Sequence, residues 1–289
     1  MRILLIGNPV SGRGKTSAVV REVVSCARER DHEIEAVFTT SSGSACQLAA
    51  NITPGFDCLM IAGGDGVIND VINGANLDTL PPLMVIATGT ANMLARELSL
   101  PKTAPEIIKL VERGKTATIK LGLVNERRFL MLVSSGFDAL VTKQIKENRP
   151  KRLGFRGYIK PALKALRYYR PAALNVTMDS QTKVETEMVI VGRINKYGGI
   201  FRFSRNSSLT SETFEVCVFR KATLTSIIKY GLLGLFRLSE LSSEIQRFSA
   251  RHVIIDSRPA SPVEVDGDYF CETPVSIQLT GQAIQVITP

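Results

Sequence analysis

The stretch CLMIAGGDGVINDVING, residues 58–74, decides the fold. Residues 58–63 form a short unbroken apolar run and read as a buried strand, Gly64-Asp65-Gly66 is a turn, and a helix starts at 67–75. The same strand–turn–helix unit recurs on both sides. Strands are expected at 2–6, 34–39 and 82–87, and helices at 14–30, 43–51, 91–98 and 105–113. Alternation of short apolar strands with helices predicts a parallel sheet with helices on both faces.

After about residue 118 the rhythm changes. Segments 118–124, 128–134, 173–179, 184–194, 200–204, 214–220, 252–256, 262–265 and 273–287 have strand composition, and helical patterns survive only near 155–169 and 223–240. The expected fold class is therefore α/β plus β. An N-terminal parallel-sheet nucleotide-binding domain spans 1–124 and a β-rich antiparallel sandwich domain spans 125–289, with the C-terminal residues free to pack back on the first.

Composition bounds the function. The 289 residues are 44% hydrophobic and 22% charged, which excludes a disordered chain. At this length folding buries roughly 75% of the unfolded surface. There is no Trp among few aromatics, so a base-stacking nucleic-acid binder has little to stack with, and no nucleic-acid partner is expected. The formal charge is +9, and its location matters more than its size. Lys143, Lys146, Arg149, Lys151, Arg152, Arg156, Lys160, Lys164, Arg167 and Arg170 are opposed only by Glu147, which places the whole excess in segment 143–170. An anionic partner should meet the chain there.

The cysteines (Cys26, Cys46, Cys58, Cys217 and Cys271) are odd in number without a Cys-x-x-Cys pair, which fits a reducing, cytoplasmic setting. Two histidines, His32 and His252, cannot build a His-rich metal site. The six residues before Gly7-Asn8-Pro9 are too few for a signal peptide, and Lys229, Arg237 and Glu240 keep 224–241 from reading as a membrane span.

Phosphate chemistry would sit at the strand ends. Asn8 to Thr16 (NPVSGRGKT) makes a Gly-rich turn into a helix, but Pro9 breaks a Walker A loop and Ser17 breaks a Rossmann fingerprint. A plain turn into the helix is as good a reading of it. Gly63, Gly64 and Gly66 flank Asp65 at the end of a strand, where ligands bind in open α/β sheets. Glycines let backbone approach a polyphosphate. A carboxylate in that place needs a cation between itself and phosphate, so Asp65 implies Mg²⁺. The bland alternative is a tight turn with a capping Asp. Thr39 and Thr40 end the second strand, and Thr88-Gly89-Thr90 ends the fourth, outlining one cleft along the carboxyl edge.

These blocks (NPVSGRG, GGDGVINDVINGA, ATGTANMLARELSLP, SSGFDALV, KYGGIFRFSRNSSLTSETFEVCVF and VEVDGD) resemble, in order, those of the bacterial diacylglycerol kinase-like lipid kinases and their sphingosine and ceramide kinase relatives, from about residue 3 to 270. The resemblance implies that ATP contacts Asn8, Ser11, Gly12, Thr39, Gly63, Gly64, Asp65, Gly66, Asn69, Gly89 and Thr90. It implies that Asp268, at the acid ending the family's Val-Asp-Gly-Glu motif, is the catalytic base, and that Asp138 supports the metal and base network, with Asp266 beside it. Asp268 is one methylene shorter than the usual Glu, Asp70 replaces a Glu, and Met131 stands where the family often has Asn. Ser211 replaces the Asp of a structural Mg²⁺ site, which is therefore not carried over.

The expected reaction moves the γ-phosphoryl of ATP to a hydroxyl of a diacylglycerol-like lipid, with Mg²⁺ screening the phosphates. A kinase of a soluble hydroxyl compound such as NAD, and a regulator with a weakened site, remain the alternatives. Lys160, Lys164 and Arg167 share one helix face opposite Ile159, Leu163 and Leu166, which suits peripheral docking on an anionic membrane, with 224–241 adding an apolar contact. Asp266-Gly267 also reads as a plain hairpin turn. A homodimer is compatible with all of this.

Overall fold

The structure, a computed structural model, describes residues 1–148, 164–165, 169–197, 201–202, 204, 207–236, 238–239 and 242–289. The chain forms two compact units, Met1–Leu121 with Gly281–Pro289, and Gly122–Thr280. The final residues, assigned by sequence to the second domain with freedom to pack back, thus belong to the first.

In the first unit β1 (Arg2–Gly7), β2 (Glu33–Phe38), β3 (Cys58–Gly63) and β4 (Leu83–Ala87) form a parallel sheet in the order β2-β1-β3-β4. Every residue of β3 is buried, as the apolar run requires of a central strand, whereas β2 buries only Ile34 and lies at the edge. Helices α1 (Thr16–Arg28), α2 (Ser44–Ala50), α3 (Asp65–Gly74), α4 (Met93–Glu97) and α5 (Ala104–Arg113) supply the crossovers. Helix α1 buries Val20, Val23 and Ala27 at helical spacing and packs on α5, while α2 packs on α3. Because the strands are parallel, all four carboxyl ends reach the same edge, and the loops that follow them are neighbours.

Strand β5 (Thr116–Val124) leads into the second unit, which contains β6 (Arg127–Phe129), β7 (Leu132–Ser135), α6 (Phe137–Asn148), β8 (Leu174–Met178), β9 (Thr182–Thr186), β10 (Met188–Gly192), β11 (Lys196–Tyr197), β12 (Phe201–Arg202), β13 (Phe214–Phe219), α7 (Leu224–Leu235), β14 (Ile245–Ala250), β15 (His252–Ser257), β16 (Pro262–Val265) and β17 (Asp268–Glu272). One antiparallel sheet runs β14-β13-β10-β7-β16-β17. The start of β18 (Val275–Ile287) pairs antiparallel with β15, followed by β8 and β9. The end of β18 belongs to the first unit, where Val286 pairs with Leu83 of β4. Phe129, Val133, Val191, Phe214 and Val265 share one core with Val176, Val253, Ile255 and Ile277. Side chains from two sheets meeting in one core make a sandwich.

The fold class is the expected one, and the differences are local. Helix α6 lies where no helix was expected; Phe137, Leu140, Val141 and Ile145 follow helical spacing, but the run is short and broken by lysines. Strands β14 and β17 were also not expected, because Gln246, Arg247 and Asp268 give them polar composition. The expected helix near 155–169 lies almost wholly outside the described residues.

Candidate functional site

Three loops of the first unit close on one another at the carboxyl edge. Ser11–Gly14 forms a single 3₁₀ turn before α1, with Gly12 at φ +59°, and a Cβ at Gly12 would fall 2.2 Å from the Thr88 carbonyl oxygen. Only glycine fits there. The buried Thr16 hydroxyl lies 2.8 Å from the Thr88 hydroxyl and 3.1 Å from the Ser11 carbonyl, tying the first loop to the fourth. The Gly63 carbonyl accepts from the N–H groups of Thr88 (3.0 Å) and Gly89 (3.1 Å). A Cβ on Gly89 would lie 2.4 Å from Gly64 Cα. The loops therefore meet backbone to backbone, with the first turn of α3 beside them. First-turn N–H groups of a helix have no partner within it and suit an anion.

The sequence-identified residues of this unit take distinct positions here. Asn8, Ser11, Gly12, Thr39, Gly63, Gly64, Gly89 and Thr90 occupy the carboxyl ends of β1 to β4 or the loops beyond, and Gly66 lies in the first turn of α3. Asn69 lies one turn into α3, nearly fully buried, with its side-chain oxygen accepting from Asn73 Nδ2 at 3.1 Å. Asp65 is different. Its two carboxylate oxygens accept the N–H groups of Met93 (3.0 Å) and Leu94 (3.2 Å), so it caps α4, and the side chain is buried. These two bonds place the Asp65 charge at the start of α4 and leave each oxygen a further lone pair for the expected cation. Among the described residues no group of three His, Cys, Asp or Glu side chains is placed to hold a metal.

A second cluster lies within the other unit. Glu264 on β16 is fully buried; one carboxylate oxygen accepts from the Ser134 hydroxyl on β7 in a short hydrogen bond, and the other accepts from the Gly267 N–H at 2.5 Å. The Tyr197 hydroxyl stands 3.4 Å from the first oxygen. Asp138, in the first turn of α6, has both carboxylate oxygens buried without a well-formed hydrogen bond among the described residues, and the Ser134 and Tyr197 hydroxyls are the donors that bear on it. Burial, and then the negative charge of Asp138, push the Glu264 carboxyl well above the usual range; burial likewise raises Asp138. Two carboxyls this close in so dry a setting cannot both ionise at low cost. Sequence reasoning missed Glu264. The available signal was an acid inside the apolar run Pro262-Val263-Glu264-Val265.

Asp266 and Gly267, at φ 49° and 96°, form the two-residue turn joining β16 to β17, so the hairpin reading of this motif describes its backbone. The Asp266 carboxylate accepts the N–H groups of Leu130 (2.8 Å), Met131 (2.8 Å) and Leu132 (2.9 Å). The buried Arg193 guanidinium, whose pKa burial pulls down to about 10 against the opposing charge of Asp266, donates to the carbonyl of Leu209 at 2.9 Å. Met131 is held through its backbone, which explains how an apolar side chain is accommodated there. Asp266 thus acts as an anchor for the strand connection. Asp268, the first residue of β17, is exposed as a residue, but burial of its carboxyl raises that group against the pull of Arg127 and Lys146.

Of the basic segment, Lys143 and Lys146 belong to α6. Lys143 pairs with Glu272 at 2.7 Å, and Lys146 donates to the Tyr269 carbonyl at 3.1 Å, so both lie along β17. Lys164 and Arg170 are exposed, and the remaining six lie outside the described residues.

Residues 2–124 match the family model for the diacylglycerol kinase catalytic domain, and residues 131–288 match that for the YegS C-terminal NAD kinase beta sandwich-like domain. The chain is 28% identical to the diacylglycerol kinase of Bacillus subtilis over 100% of its own length and 96% of that protein's. It is 26% identical to the diacylglycerol kinase of Mycobacterium tuberculosis, covering 100% and 95%. The fold matches the crystal structure of a diacylglycerol kinase from Bacillus anthracis with a TM-score of 0.79 at 23% identity, over 100% of this chain and 97% of that one.

Proposed function

The chain belongs to the diacylglycerol kinase-like lipid kinase family, and on that footing we propose that it transfers the γ-phosphoryl group of ATP to a hydroxyl of a diacylglycerol-like lipid. The observation that carries the nucleotide half of this reading is the facing pair Gly64 and Gly89, where side-chain-free backbone and the start of α3 border the strand ends. Such a surface suits phosphates, because backbone N–H groups reach an anion that side chains would hold at a distance.

In this reading Gly63 to Gly66, with Gly12, Ser11 and Asn8, take the phosphates, and Thr39, Asn69, Gly89 and Thr90 border them. Asp268 accepts the proton of the lipid hydroxyl; a carboxyl with a raised pKa is the better base. Asp138 and Glu264, sharing a proton, set the electrostatics beside the Asp266-Gly267 turn that precedes Asp268. Mg²⁺ bound with the nucleotide would neutralise its phosphates, and Asp65 is the residue that would face it. The enzyme works in the cytoplasm against an anionic membrane, where exposed Lys164 and Arg170 and the rest of segment 143–170 supply charge attraction.

The test is a panel of acceptors with γ-labelled ATP. Label should appear in phosphatidic acid made from diacylglycerol. The second model's likeness to an NAD kinase sandwich makes NAD the informative competing acceptor. Label in NADP and none in any lipid would overturn the reading, as would ATP binding without transfer to either.

A further inference from the structure

Helix α7 presents apolar residues on two opposite sides. Its inner side is fixed: Tyr230 is 1% exposed, its ring lies 5.1 Å from that of Phe219, and its hydroxyl donates to Glu244 at 3.2 Å. At ~100° per residue, Ile228 and Leu232 fall on the opposite side of the helix from Tyr230. They are each 51% exposed, beside Leu224 at 50% and Leu235 at 47%. With Phe236 and Leu238 just beyond, this segment holds six of the ten exposed large apolar side chains among the described residues. A helix with apolar residues on both sides has a second partner to find.

Charge identifies that partner. From Arg220 to Ser239 the sequence contains four basic residues and no acid. Arg220, Lys221 and Lys229 are exposed around the helix, and Lys229 reaches Glu244 at 3.1 Å only from a half-exposed position. A second copy of the same face would set cations against cations. A bilayer with anionic headgroups offers phosphates to the lysines and acyl chains to the leucines. Twelve residues give ~18 Å of helix, too short to cross a bilayer and long enough to lie along its surface.

We propose that the outer face of α7 seats in the headgroup–acyl boundary of an anionic bilayer and holds this kinase on the surface where its substrate resides. The proposal rests on the lipid-kinase reading for its substrate and on α7 alone for its geometry. The membrane contact expected from segment 143–170 is a separate, purely electrostatic surface.

The chain contains no Trp, so Leu232→Trp introduces a single reporter. Its emission should shift to the blue on vesicles containing phosphatidylglycerol and be quenched by brominated acyl chains. Ile254→Trp, on β15 at 37% exposure, should do neither. Ile228→Ser combined with Leu232→Ser should weaken vesicle partitioning about 30-fold, the loss expected from withdrawing two half-exposed aliphatic side chains from the interface. Turnover of water-soluble short-chain diacylglycerol should be unchanged. An unshifted Leu232→Trp spectrum on anionic vesicles overturns the proposal. So does a double variant that partitions like the parent, or a parent dimer that the double substitution dissociates. A protein that shows the emission shift but phosphorylates no lipid upholds the bilayer face and rejects the lipid-kinase reading.

Discussion

Replacing Glu264 with glutamine should change how stability depends on pH more than it changes stability itself. The buried Glu264 carboxyl is raised by desolvation and by Asp138, so the folded protein keeps its proton above the pH at which the unfolded chain releases it. In that window the native state binds more protons than the unfolded state. Stability must therefore fall as pH rises, from the ordinary glutamate pKa up to the raised native one, by up to about 1.4 kcal/mol per pH unit for one proton. This is the reverse of the usual acid in an ion pair, whose contribution is lost on acidification. The glutamine amide keeps an oxygen for the Gly267 N–H and holds no proton to lose. Asp138 keeps the rise that burial alone gives it, so the variant retains the shallower slope of one buried acid. Urea unfolding at pH 5, 6, 7 and 8 would show this. The parent should lose stability steadily toward pH 8 while Glu264→Gln falls less steeply, so that the variant is the more stable protein at the alkaline end. Parallel profiles, or a variant that gains only at pH 5, would refute the picture of a protonated, desolvated glutamate.

Four further outcomes follow from the same geometry. Asp268→Asn should lower kcat ~10²–10⁴-fold with an unchanged circular dichroism spectrum, the usual contribution of a general base; wild-type kcat would remove Asp268 from that role. Gly89→Ala forces a Cβ to within 2.4 Å of Gly64 Cα and should cost ~1–3 kcal/mol together with nucleotide affinity, read by thermal melts with and without ATP. Asp65→Asn should cost ~1 kcal/mol through the loss of the α4 cap and raise the Mg²⁺ concentration giving half-maximal turnover about tenfold; a shift of less than twofold would separate Asp65 from the metal. Asp266→Ala leaves three buried N–H groups without their acceptor and should destabilise the second unit by ~3–5 kcal/mol in urea melts.

The α/β half was legible because its determinants are local. An unbroken apolar run such as Cys58–Gly63 has few uses besides a central strand, and a Gly-Gly-Asp-Gly turn can follow it only at a carboxyl end. The β half was harder because its strands are set by partners distant in sequence. Strand β14 carries Gln246 and Arg247, and only pairing with β13 makes it a strand. The site was legible in its residue types and less so in their roles. That Asp65 lies beside glycines is sequence; that its oxygens face Met93 and Leu94 depends on how the fourth loop turns at Asn92, which adopts φ 47°. Glu264 stayed hidden because an acid within four strand residues looks like an outward-facing position until the helix covering it, α6, is known.

The motif carboxylates then separate by what already holds them. Asp65 is bonded to two backbone N–H groups and Asp266 to three, all buried. Moving either acid away would strand those donors at ~1–3 kcal/mol each, so both are held in place during a reaction. Asp138 and Glu264 share the Ser134 and Tyr197 hydroxyls in dry surroundings, with one N–H, from Gly267, on Glu264, and the Asp268 carboxyl is raised by burial against the pull of Arg127 and Lys146. These are the acids whose protonation responds to a neighbouring charge, and a developing alkoxide or phosphate is such a charge. Retention of the whole acidic motif by a chain is therefore weaker grounds for activity than the state of Asp138, Glu264 and Asp268. A variant series restricted to those three should separate loss of turnover from loss of fold, whereas one built on Asp65 and Asp266 should confound them.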